Sequence, residues 1–345
     1  MLAKARWIHS PSHDIALALA WLPFAVAAHA VQTNRHALET LVSATFALSF
    51  AHQPLTLGLV YGDKRHLTAR PRIYSITPFV AVALIVAGLS ISLSLVAILA
   101  GLWNAEHTLM QRFGLTRIYG RKAGDDHGSI EKPMLVSWLV LAVIWTGASS
   151  RTPSLIDRVP LGSTNRPAVD LLTDLQPYAR VALVPAAIAA VWLAIKWIKA
   201  EVALGDQANF AKHFYVATTA MLFVMIVVDP IAGFVGYVGA HAVEYFVIVN
   251  RSLANRHDDE AIARVTSTAT KRRAIYLAYF AAVATFVAVG RGHMEIYRFA
   301  ILLLGALHIF YDGFIWKLRR PAIASTLGVP TASTAGPVGA APAVG

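Results

Sequence analysis

The chain has 345 residues, of which 57% are apolar and only 14% are Asp, Glu, Lys or Arg. An average soluble domain carries about a quarter charged residues, so this composition excludes an ordinary soluble protein, and the apolar content excludes global disorder. The formal charge is +11 with no cysteine, which removes disulfides, thiolate metal sites and cysteine nucleophiles; without a long Lys/Arg run, the positive excess points to membrane-flanking loops and not to nucleic acid.

A hydrocarbon core about 30 Å thick takes about 20 apolar residues per helix. On that ruler the sequence predicts an all-α, polytopic transmembrane bundle of about ten helices. An N-terminal tail, 1–14, precedes spans at 15–31 and 37–62. A basic loop with Lys64, Arg65, Arg70 and Arg72 follows. The apolar stretch 76–111 is too long for one span and reads as a hairpin, 76–90 and 91–111, turning near Gly88 and Ser90. A second basic loop holds Arg112, Arg117, Arg121, Lys122 and Lys132. The fifth span is 133–149, a polar loop runs from Ser150 to Arg180, and the sixth span is 181–198. A second hairpin, 213–229 and 230–250, turns at Asp229-Pro230, where helix continuation is disfavoured. Spans at 274–290 and 299–316 complete a membrane domain over 15–320. The uncharged segment 321–345, rich in Ala, Pro, Gly, Ser and Thr, reads as a disordered tail. With both termini cytoplasmic, 23 of the 30 Lys and Arg fall on the cytoplasmic side, as the positive-inside rule requires.

Four of the 13 histidines lie within spans: His52, His107, His241 and His308. In this topology all four spans run in one direction, and each histidine precedes a basic boundary by 5 to 12 residues, a depth of roughly 8–18 Å. Three have an acid close by on the same helix: Glu106 beside His107, Glu244 three residues after His241, and Asp312 four residues after His308. Spacings of three and four put acid and imidazole on one helix face. Ionisable groups at membrane depth are costly and face a cavity or a partner, so the pattern reads as an intramembrane metal site. His52, His107, His241 and His308 are its candidate ligands, with Glu244 and Asp312 as further ligands, catalytic groups or acceptors that orient the imidazoles. Imidazole with carboxylate suits iron, zinc or copper. The remaining histidines, among them His29, His66, His127, His213 and His257, fall near span ends and read as solvated. The order of histidine helix, basic loop, helix, histidine helix occurs twice, over 50–112 and 239–317.

No Walker A, HExxH or GxSxG pattern occurs, which leaves ATP-driven transport, zinc proteolysis and serine hydrolysis without support. The four intramembrane histidines and the hydrophobic bulk resemble histidine-rich integral membrane oxygenases such as the Brp/Blh β-carotene dioxygenase family. That resemblance implies a multi-pass protein of the bacterial cytoplasmic membrane. It also implies non-haem iron as cofactor, and a lipophilic substrate and dioxygen as partners. The same His, Asp and Glu residues would equally serve a proton- or ion-coupled transporter, and a bis-histidine haem site is a third reading.

Overall fold

The computed structural model describes residues 5–156, 165–256, 261–290 and 292–330. Residues 1–4, 157–164, 257–260, 291 and 331–345 lie outside the described residues; these include His257 and most of the expected C-terminal tail. The described chain is helical, in the order α1 (Pro11–Ala18), α2 (Trp21–Val31), α3 (Arg35–Tyr61), α4 (Lys64–Ala69), α5 (Pro71–Ile91), α6 (Leu93–Ala123), α7 (Gly128–Ala148), α8 (Thr152–Ile156), α9 (Asn165–Ala203), α10 (Phe210–Val228), α11 (Pro230–Ala254), α12 (Ala261–Val265), α13 (Ala269–Gly290), α14 (Met294–Ile315) and α15 (Pro321–Thr326).

Among the described residues, nine helical stretches are long and apolar enough to cross a membrane, with α1 and α2 together forming the first. The fold is therefore an all-α polytopic bundle. The 27-residue α3 is long enough as well. It is not one of the nine because Ser49, His52, Gln53, Pro54 and Thr56 interrupt its apolar run, and it is one of the helices that build the site.

The helix boundaries follow from local chemistry. Asn34, Ser92, Asn209 and Asp229 each accept a hydrogen bond from a backbone N–H of the first turn they precede, satisfying donors that have no partner inside the helix. Pro71, Pro230 and Pro321 open their helices, where a missing N–H costs nothing. Gly124 ends α6 with φ +83°, a left-handed cap that a side chain would strain.

Helix α11 lies at the centre, with 78% of its most apolar window buried, whereas α9 and α13 bury only 6% of theirs and form the periphery. The centre is reached by small residues. A Cβ on Gly236 would stand 3.0 Å from the Trp21 carbonyl oxygen, and one on Gly239 would stand 2.5 Å from the Phe24 ring. Only glycine lets α11 approach α2 this closely, which is how helices gain contact where lipid removes the hydrophobic drive.

Four expectations need correction. The first hairpin breaks at Ser92, not at Gly88 or Ser90, because the Ser92 hydroxyl caps α6. Arg112 and Arg117 are not loop residues: α6 runs for 31 residues to Ala123, and buried carboxylates pair with both guanidinium groups. The expected loop 150–180 contains α8 and the first turns of α9. Residues 321–330 are not a disordered tail, because Pro321 starts α15 and Ala324, Leu327 and Val329 bury their side chains in the bundle. The N-terminal segment is likewise anchored, with Ile8 and Asp14 buried and both the Ile8 and His9 amides donating to the Asp14 carboxylate.

Candidate metal centre

Helices α3, α6, α11 and α14 each bring one histidine to a common point. His52, His241 and His308 are fully buried and His107 is 7% exposed. One ring nitrogen from each lies within 4.8 Å of those of the other three, so the four could hold a metal ion. The His308 Nε2 stands 3.0 Å from the Nε2 of His52 and 3.0 Å from the Nε2 of His107. The His241 ring meets those of His52 and His107 edge-on, with centroids 4.5 and 5.1 Å apart.

The hydrogen bonds around Thr56 favour one tautomer of His308. The Thr56 hydroxyl donates to Asp312 Oδ1 at 2.9 Å, and the Tyr245 hydroxyl donates to the same oxygen at 3.0 Å. Thr56 and Tyr245 also touch each other. With its proton committed to the carboxylate, Thr56 Oγ1 accepts from His308 Nδ1, which stands 2.7 Å away. The proton of a neutral imidazole then sits on Nδ1, and Nε2 carries the lone pair. One in-plane lone pair cannot accept two N–H donors, yet two Nε2 atoms crowd it at 3.0 Å. A shared cation resolves this, because two nitrogens about 2.1 Å from one ion and at right angles to it lie about 3 Å apart. His241 adds a second indication: both its ring nitrogens are buried and neither has a hydrogen-bond partner, although buried polar groups are normally paired. The donor set, four neutral imidazoles beside a carboxylate, fits a borderline divalent metal.

Asp312 and Glu244 occupy different places. Asp312 borders the histidines, with Oδ2 3.8 Å from His107 Nε2 and Oδ1 3.8 Å from His308 Nδ1. Glu244 is fully buried but turned away from them. Its oxygens take Arg112 at 2.8 Å, Tyr215 at 3.0 Å and Gln111 at 3.1 Å. Gln111 also donates to the His241 carbonyl at 3.0 Å, joining the two groups. Glu106 is exposed and joins neither. Thr56 and Arg112 join the site without being expected there, while Gln111 and Tyr245, polar residues that flank His107 and Glu244 in sequence, take the pocket positions their spacing allows. A signal for Thr56 exists: the residue four after each histidine is polar, namely Thr56, Gln111, Tyr245 and Asp312, and this spacing stacks it on the histidine's helix face.

A second buried cluster lies at the basic end of the bundle, where Asp125, Glu131 and Glu201 converge. These carboxylates also have metal-ligand spacing, but the Lys212 ammonium sits among them. It lies 2.9 Å from Asp125 and 2.5 Å from Glu201 and contacts Glu131. Arg117 adds bonds of 2.8 Å to both Asp125 and Glu131. Burial alone would raise the Asp125 carboxyl, but the bonds from Arg117 and Lys212 outweigh it and hold the group below its ordinary value. His127 and His213, expected to be solvated, both bond to Glu201 at 2.9 Å. At the opposite end His29 pairs with Asp229 at 2.7 Å. These pairings have one cause: helix ends from distant parts of the chain bring Glu201 to His127 and His213, and Asp229 to His29, which stays exposed.

Comparison of this chain with family models, with curated proteins and with solved structures found no match.

Proposed function

We propose that the protein is an integral membrane metalloenzyme, a non-haem iron oxygenase of the bacterial cytoplasmic membrane acting on a lipophilic substrate. The observation that carries this reading is the convergence of four buried imidazoles around a nitrogen that hydrogen bonding cannot satisfy. His52, His107, His241 and His308 would hold the ion. Asp312, bordering them, would be a further ligand or the group that handles protons, and Glu244 would steady the His241 segment through Gln111. Iron held by nitrogen and oxygen donors with an open position supplies dioxygen chemistry. The protein's own part is to keep the imidazoles oriented, exclude water and place the substrate.

An apolar cleft supports the substrate class. About 530 Å³ in volume, it lies between α13 and α14 and is lined by residues including Ala282, Phe286, Val289, Ile296 and Tyr297. One lining residue, Phe286, stacks on Phe50 at 5.4 Å, and two turns earlier on α13, outside the cleft, the Tyr279 hydroxyl donates to the carbonyl of Ala51, next to His52. Tyr297 and His308 are about 16 Å apart along α14, so a substrate that reached from this cleft to the histidines would be an elongated hydrocarbon. The resemblance to the Brp/Blh family, made on the four histidines, agrees with such a substrate.

The test is elemental mass spectrometry on the detergent-purified protein and on a His241→Ala/His308→Ala double variant of matching size-exclusion profile. Stoichiometric iron in the wild type that is lost in the variant is the expected result. Equal, near-zero metal in both after iron-supplemented growth overturns the reading. It would shift the weight to a proton-coupled transporter, which the buried Arg112–Glu244 pair beside the histidines favours.

A further inference from the structure

A group of cations at the basic end of the bundle is not used by the metal centre. Arg70, just before α5, and Lys317, just after α14, both stack on the Phe314 ring, with charge centres 4.8 and 5.2 Å from its centroid. Arg319 and Arg320 follow in the chain. Arg70, Lys317 and Arg320 are half-buried. Among the described residues none of the four forms an ion pair, and Asp63, a carboxylate at this end, is engaged by Arg256 and Arg65. Desolvation and the repulsion of Arg319, Arg70 and Arg320 all push the Lys317 ammonium below its ordinary value. Like charges gathered in one place raise the energy of the site until an anion joins them.

A second, independent feature lies one helical turn after Arg70. The Tyr74 side chain is 1% exposed, and its hydroxyl is buried with no hydrogen-bond partner. The ring is fixed by Tyr311, edge-on at 5.1 Å, and Arg70 and Arg320 are the cations whose charges reach the phenol. An unpaired phenolic donor within reach of the Arg70 and Arg320 charges, with Lys317 on the same Phe314 ring as Arg70, supplies the donor types that bind a tetrahedral oxyanion. The location, where α5 begins and α14 ends, is the level at which lipid phosphates lie when these helices span a bilayer.

We propose that Tyr74, Arg70, Arg320 and Lys317 form a binding site for the phosphate of an anionic phospholipid. The phenol and guanidinium groups take the phosphate oxygens, and the acyl chains run along the apolar outer faces of α5 and α14. The site is independent of any metal at the histidines.

The experiment measures thermal stabilisation of the full-length protein in detergent on titration with phosphatidylglycerol, phosphatidylcholine or inorganic phosphate. The expected result is a saturable rise in Tm with phosphatidylglycerol and little with phosphatidylcholine. An Arg70→Gln/Arg320→Gln variant should weaken phosphatidylglycerol about tenfold or more. Tyr74→Phe, which keeps the packed ring, should weaken it about two- to tenfold. A Lys64→Gln/Arg72→Gln control removes the same charge from exposed positions at the same end and should change the affinity less than about twofold. Equal response to both lipids, equal loss in the control, or saturation by phosphate alone at the same concentration would each overturn the proposal. An unchanged affinity in Tyr74→Phe would remove the phenol from the site and overturn it as drawn.

Discussion

Among the described residues the bundle contains two buried clusters with metal-ligand spacing, and they differ in what lies at their centres. Around Asp125, Glu131 and Glu201 the protein supplies its own cation, Lys212, with Arg117 closing the ring. Around His52, His107, His241 and His308 it supplies none; His241 has no partner at either nitrogen, and one His308 nitrogen faces two others. Proximity of ligand-type residues is common to both. Polar satisfaction separates them: the carboxylate cluster is complete and acts as a clasp for α6, α7, α9 and α10, while the histidine cluster keeps unpaired nitrogens that could hold a metal ion.

The largest effect that would break this contrast comes from the clasp. Removing the ammonium by Lys212→Met leaves three carboxylates buried against one guanidinium, and losing one partner of a buried ion pair costs about 3–5 kcal/mol. The expected outcome is a sharply lower unfolding temperature, with metal content per folded molecule unchanged. If Lys212→Met instead bound a divalent metal at its wild-type stability, the clasp would be a second metal site.

Next in size is the orientation of His308. Thr56→Val keeps the shape but removes the acceptor for His308 Nδ1, and loss of such an outer partner costs about 10- to 100-fold in metal affinity. Thr56→Ser should restore it. Competition titration of the apoprotein with Zn(II) or Co(II) reads the difference, and an unchanged affinity in Thr56→Val would show that the threonine does not set the tautomer.

The smallest effect is the acid response of the basic end. Asp63 is also held below its ordinary value: burial alone would raise it, but Arg256 and Arg65 outweigh that. For Asp63 and Asp125 alike, a depressed folded pKa means stability that is fully present above the unfolded value, about 3.9. It is lost as pH falls through the folded one. Unfolding followed from pH 6 downward should therefore show a loss beginning near pH 4, shallower in Asp63→Asn. A slope identical in Asp63→Asn would remove Asp63 from the account.

How much of this was legible in the chain differs between the two clusters. The four histidines stand out because an ionisable residue in an apolar run is conspicuous, and helical periodicity then places Asp312 beside His308. The clasp was invisible for the opposite reason: Arg117, Lys212, Glu131 and Glu201 sit among polar residues at span ends, where charge is ordinary. Arg112 misled directly. It resembles the start of a basic loop, yet α6 continues past it because Glu244, 132 residues away in sequence, neutralises it. A buried cation is tolerable only with its partner, and one-dimensional spacing does not reveal a partner on another helix.

The sequence by itself determined the class, the helical content and the set of histidines, because bilayer thickness, backbone satisfaction and helix period act locally along the chain. Tertiary structure alone decided which polar residues meet. Lateral packing set the 3.0 Å contacts of His308, put Thr56 and Tyr245 on Asp312, filled one cluster with Lys212 and left the other with nitrogens that have no partner. These are contacts between helices up to 256 residues apart, fixed by glycine-lined approaches and mutual burial that no local pattern encodes.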